Sequence, residues 1–128
     1  MAYTFDKVLI LEILDQIIEA SKTIELRCKF AKSEDDFCDT IEGQEKLDSI
    51  CMKLIAIGES LKKIDYITDK ALLEKYPQIE WKKIKGIRDF ISHHYFDLDA
   101  EVIFDICQNH IQLLTTTLKQ IKHDLLKY

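Results

Sequence analysis

Glycine and proline are nearly missing from this chain: 3 Gly and 1 Pro among 128 residues, where an average sequence of that size would carry about fifteen of the two together. Turn-rich sandwiches and barrels and Gly-rich phosphate loops need more of both, so long helices are the default. Long apolar runs are also missing. The longest near the start, Val8 to Leu11, is closed by Glu12, far short of a bilayer span or a signal-peptide core, so nothing here marks the chain for a membrane or for export. The four cysteines (Cys28, Cys38, Cys51, Cys107) form no C-x-x-C pair and no zinc-like spacing, and read as reduced, buried or half-buried thiols in a cytoplasmic protein. There is no H-E-x-x-H, and no His has a Glu three residues before it as di-iron bundles use, so neither a metal nor a cofactor is expected.

What is present is one domain's worth of helical pattern. Apolar residues make up 47% and charged ones 32%, too hydrophobic for disorder and too charged for a membrane protein. No repeat or linker divides residues 1–128. The first helix is predicted over about residues 5–31, with Ile10, Ile13, Leu14, Ile17, Ile18 and Ile24 in one stripe at three- and four-residue steps. The acidic run at 34–39 reads as a solvated loop or helix start. A second helix covers about 40–64, and Gly58 within its stripe costs about 1 kcal/mol relative to Ala, so it is expected to permit a close backbone approach. A short helix at 69–75 ends before Pro77, a fourth helical piece spans 81–93, and Asp99 is the expected N-cap of a last helix continuing through Leu125. His110 falls inside that helix, at a core edge. The fold class is therefore all-α, an antiparallel bundle of four to five helices. Leu9, Leu11 and Ile55 lie outside the stripes, apolar surface that a second copy could cover, so a homodimer is expected.

One stretch stands apart. Residues 81–96, Trp-Lys-Lys-Ile-Lys-Gly-Ile-Arg-Asp-Phe-Ile-Ser-His-His-Tyr-Phe, hold four basic side chains (Lys82, Lys83, Lys85, Arg88) against one acid, Asp89, in a chain whose formal charge is -5. The acidic total argues against a general nucleic-acid coat. The local excess can still attract phosphate at one point, with the three lysines as candidate RNA contacts. Asp89 and His93 are four apart and share a helix face, so the carboxylate can orient the imidazole. Arg88 and His93 are five apart, about 140° around a regular helix. Either the helix ends between them, or a second subunit brings its own pair to a shared cleft.

Arg88-Asp-Phe-Ile-Ser-His93-His94-Tyr95 resembles the R-x-x-x-x-H-x-Y signature of HepT-like toxins in the HEPN superfamily of ribonucleases. Tyr76-Pro77-x-Ile79-x-Trp81 with Ile84 and Gly86 is similar to that family's lead-in, and Ile57-Gly58-Glu59 to its I-G-E element, so the likeness runs from about Thr40 onward. The resemblance implies a HEPN-like bundle acting as a metal-independent endoribonuclease in a homodimer, with Arg88 and His93 as the catalytic pair and Asp89 supporting them. It implies a toxin-antitoxin partner, an MntA-type nucleotidyltransferase that silences the enzyme by AMPylation of Tyr95. It also allows Glu59 to reach the cleft. The alternative is a non-catalytic, nucleotide-binding partner subunit of a nucleotidyltransferase, a reading favoured by Asp89 where the family often has Asn.

The chemistry is self-consistent. RNA carries its own nucleophile, the 2'-hydroxyl, so cleavage to a 2',3'-cyclic phosphate needs proton transfer and charge stabilisation only. An imidazole titrating near neutrality supplies the first and a bidentate guanidinium the second.

Overall fold

The computed structural model describes residues 5–94, 96 and 99–127, all-helical with short connections. Helix α1 (Lys7–Cys28) starts where Asp6 accepts the Leu9 amide at 3.1 Å and buries the whole predicted stripe, Ile10 and Leu14 at 0% exposure. Each such side chain contributes roughly 1.5–3 kcal/mol on leaving water. A 3-10 turn (Glu34–Phe37) follows, its acids outward and Phe37 fully buried.

Helix α2 (Ile41–Thr68) is capped by Thr40, whose hydroxyl accepts the Gly43 amide at 2.9 Å. It runs a turn past the predicted end at 64 because its last turn is anchored. The Thr68 hydroxyl donates to the Ile64 carbonyl, and the buried Asp65 carboxylate accepts from the Lys85 ammonium. The chain then reverses through two left-handed residues, Asp69 (φ 52°) and Lys70 (φ 63°). That reversal replaces the helix expected over 69–75 with a turn and a single 3-10 turn, Leu73–Lys75.

The piece read as continuous over 81–93 is two helices, α3 (Trp81–Lys85) and α4 (Ile87–His93), parted at Gly86. Trp81 is buried and its indole N–H donates to the Tyr76 carbonyl at 2.9 Å, so the Tyr-Pro lead-in fixes where α3 begins. Asp99 caps α5 (Ala100–Asn109) as predicted, accepting the Glu101 amide at 2.9 Å. The last helix also divides. His110 (φ -127°) leaves helical geometry before α6 (Ile111–Leu126). His110 is accordingly no core-edge residue: its exposed imidazole lies 3.2 Å from Asp105.

The bundle is built on α1, which packs against α2, α5 and α6, while α3 and α4 pack on α2. Buried polar groups pair across it, Ser21 of α1 with Thr115 of α6. The expectation of four reduced cysteines is corrected. Cys28, closing α1, and Cys107 in α5 form a disulfide with Cα atoms 5.7 Å apart, and only Cys38 and Cys51 are free thiols. Packing α5 on α1 brings together two positions that sequence spacing leaves unrelated. Leu9, Leu11 and Ile55 are half-buried against the chain's own core. The large apolar side chains left exposed include Val8, Leu26, Met52 and Tyr66.

Candidate active site

Glycine 58 determines where the basic stretch sits. A Cβ at this position would lie 2.8 Å from the Ile84 carbonyl oxygen and 3.4 Å from the Ile87 side chain, so only a glycine lets the α3–α4 junction rest directly on α2. The close approach read from the sequence is present. One residue further, Glu59 faces the next helix, and the Arg88 guanidinium lies 3.4 Å from its carboxylate. The same carboxylate is 3.5 Å from the Lys62 ammonium. Both contacts are long and exposed, worth a few tenths of a kcal/mol to about 1 kcal/mol. A phosphate can therefore displace Glu59 from Arg88 at little cost.

Helix α4 is regular from Ile87 to His93. The helix does not end between Arg88 and His93, and the first of the two alternatives fails. Both side chains are exposed, about 140° apart around the axis. Asp89 is exposed on the same helix, and among the described residues no hydrogen bond or ion pair joins it to His93. His94 stacks against Phe90 with ring centroids 5.0 Å apart. Tyr95, the residue implicated in modification, lies outside the described residues.

The three candidate lysines separate. Lys82 is exposed. Lys83 is exposed and bound to Glu80 at 2.7 Å, a hydrogen bond that, with the carboxylate's charge, pushes the ammonium's pKa above its ordinary value. Lys85 is committed to Asp65, with only 24% of its side chain exposed. Its position still matters: Lys85 meets Asp65 and Arg88 meets Glu59, so α3 and α4 lay two basic residues along α2 at contact points about 9 Å apart. Sequence reasoning missed Asp65, whose signal was an acid on the buried stripe of α2.

For a metal, the set of oxygens found together among the described residues is Glu34, Asp99 and Glu101, mutually within 4.8 Å. These acids are exposed or half-exposed where the 3-10 turn meets the α5 N-terminus. Partial desolvation and then the neighbouring charges of Glu101 and Asp99 push the Glu34 carboxyl up. The free thiols suit neither metal nor nucleophile. Burial, with Asp48 nearby, pushes Cys51 up to about 12, and Cys38 is raised by desolvation and by the acids around it.

Comparison with known proteins shows the family. Residues 10–121 match the Ribonuclease HepT-like family, and the chain belongs to that family. It is 28% identical to "Putative RNase MJ1216" of Methanocaldococcus jannaschii over 97% of this chain and 88% of that protein. It is 28% identical to "Putative RNase MJ0125" of the same organism over 97% and 91%. A third relative, "Putative RNase TTE0752" of Caldanaerobacter subterraneus, is 28% identical over 84% and 89%. No solved structure matches. Among the described residues no helix is long and apolar enough to cross a membrane.

Proposed function

We propose that this chain is a metal-independent endoribonuclease, working in the cytoplasm as a homodimer whose two α4 helices face one cleft. Arg88 binds and neutralises the scissile phosphate, and His93 moves the protons of the 2'-hydroxyl attack and of the departing 5'-oxygen. The observation that supports the dimer most directly is that Arg88 and His93 both lie exposed on one unbroken helix, about 140° apart. One chain cannot close both around a phosphate, whereas a twofold axis beside α4 turns the Arg88 of one protomer towards the His93 of the other. Asp89 supports the imidazole once the cleft closes. Glu59 holds Arg88 extended until a phosphate takes its place.

In this reading the enzyme is the toxin of a two-component system. An MntA-type nucleotidyltransferase AMPylates Tyr95, two residues past His93. Each AMP adds phosphate charge and bulk beside the cleft and keeps RNA out. The contact of Arg88 with Glu59 favours one competing reading, a non-cleaving nucleotide-binding subunit, since it leaves the guanidinium partly neutralised.

The test is incubation of purified protein with RNA in EDTA beside Arg88→Ala and His93→Ala variants. Cleavage by the wild type, lowered about a hundredfold or more in each variant, is the expected result. Wild-type protein that cuts no better than the variants refutes the nuclease. Incubation with the nucleotidyltransferase and ATP should add AMP masses that vanish in Tyr95→Phe.

A further inference from the structure

Beyond Arg88, α2 carries a second feature that the nuclease reading does not use. Tyr66, two turns past Glu59 on the same side of the helix and in the last turn of α2, has 89% of its surface exposed. It borders a shallow, open cavity of about 400 Å³ lined by Lys62, Asp65, Tyr66, Asp69, Lys70 and Lys85. Three lysines and two aspartates line it, a small local excess of positive charge in a chain of net charge -5. Its rim is formed by Asp69 and Lys70, consecutive non-glycine residues in left-handed conformation. Strain of that kind persists where the surrounding structure imposes it, and it clusters at ligand sites. The turn brings Lys70 to the cavity, and among the described residues its ammonium has no ion-pair partner.

We infer that this cavity is a nucleotide subsite for single-stranded RNA, flanking the scissile phosphate. The inference rests on the endoribonuclease reading and deepens it. The ring of Tyr66 stacks on a base, an interaction open to every base because each has a π-face. Lys62 and Lys70 reach the phosphates on either side of that nucleotide. Asp69, at the rim, accepts hydrogen bonds from ribose hydroxyls or exocyclic amines. Lys85, neutralised by Asp65, forms a fixed inner wall. The track Arg88, Lys62, Tyr66 covers about 10 Å along α2, within reach of a neighbouring nucleotide of the same strand. The competing occupant, a second copy of this chain, would cover the ring with apolar surface, whereas walls of charged side chains suit a polar ligand better.

The experiment measures binding of a fluorescent single-stranded RNA of about ten nucleotides to full-length protein, together with its cleavage. Tyr66→Ala should raise Kd about tenfold and act on KM rather than kcat, and Tyr66→Phe should restore binding because the ring is what stacks. Lys70→Gln should lower the slope of log affinity against log salt by about 0.7. Tyr66 is exposed, so a thermal melt close to wild type keeps the comparison free of misfolding. A wild type that cuts RNA, with Tyr66→Ala equal to it in Kd and KM, overturns the subsite and leaves the nuclease standing. No cleavage by any form, with Tyr66-dependent binding intact, sinks the nuclease and supports only the stacking of RNA on Tyr66. A Tyr66→Ala protein that changes sedimentation without changing RNA affinity assigns the ring to subunit contact and overturns the inference.

Discussion

At the scale of single residues, the ionic contacts differ widely in what they contribute. Arg88 with Glu59 is exposed and long, which suits a group meant to change partners, whereas Lys85 with Asp65 is mostly sheltered. Replacing Lys85 by Met leaves the Asp65 carboxylate buried without its cation, and should cost about 1.5–3 kcal/mol of stability in urea unfolding. Glu59→Gln should change stability by under 1 kcal/mol while raising affinity for phosphate-bearing ligands, because it unmasks Arg88. A second contact gives a pH signature. The Tyr76 hydroxyl donates to Asp124 at 2.6 Å, and this bond is the main reason that the carboxyl lies below its ordinary 3.8. A depressed carboxyl stabilises the fold fully above its unfolded value and loses that contribution as pH falls through the folded one. The stability difference between wild type and Tyr76→Phe should therefore be present at neutral pH and shrink below about pH 4. A difference that grows in acid would reverse the assignment.

At the scale of elements, two backbone positions control the site. Gly58→Ala gains about 1 kcal/mol of helix propensity, but the new methyl meets the Ile84 carbonyl oxygen at 2.8 Å. Backbone must move, so the net effect is destabilising by about 1–2 kcal/mol, with a loss of cleavage larger than the loss of fold because α4 shifts with Arg88. Lys70→Gly relieves a left-handed lysine and should raise stability by about 1 kcal/mol, read as a rise in Tm. If the cavity beside it holds RNA, the same variant binds RNA less well, so that stability and affinity part company.

At the scale of the whole molecule, the Cys28–Cys107 bond closes a long loop whose ends are 79 positions apart. Its reduction should lower stability by about 2–4 kcal/mol, visible as a lower Tm in a phosphine reductant that leaves Cys28→Ala unaffected. The bundle itself was legible in the sequence. The stripe from Ile10 to Ile24, the cap at Asp99 and the close approach at Gly58 are local patterns, and all are found. The disulfide was not legible, because its pairing depends on α5 docking on α1 and no spacing rule encodes that. Nor were the breaks at Gly86 and His110, where apolar periodicity continues although the backbone does not. The candidate site was half legible. The signature drew the eye to Arg88 and His93, but only the packing of α3 and α4 on α2 commits Lys85 to Asp65 and brings Glu59 to Arg88.

The central claim is that two α4 helices from two protomers share one cleft, and the most direct measurement is complementation between two dead subunits. Arg88→Ala and His93→Ala proteins are unfolded together, refolded as an equal mixture and assayed for RNA cleavage in EDTA. The account predicts that mixed dimers regain a substantial part of the wild-type rate, since each keeps one guanidinium and one imidazole facing a common phosphate. A mixture as inert as either parent, beside an active wild type, would contradict it.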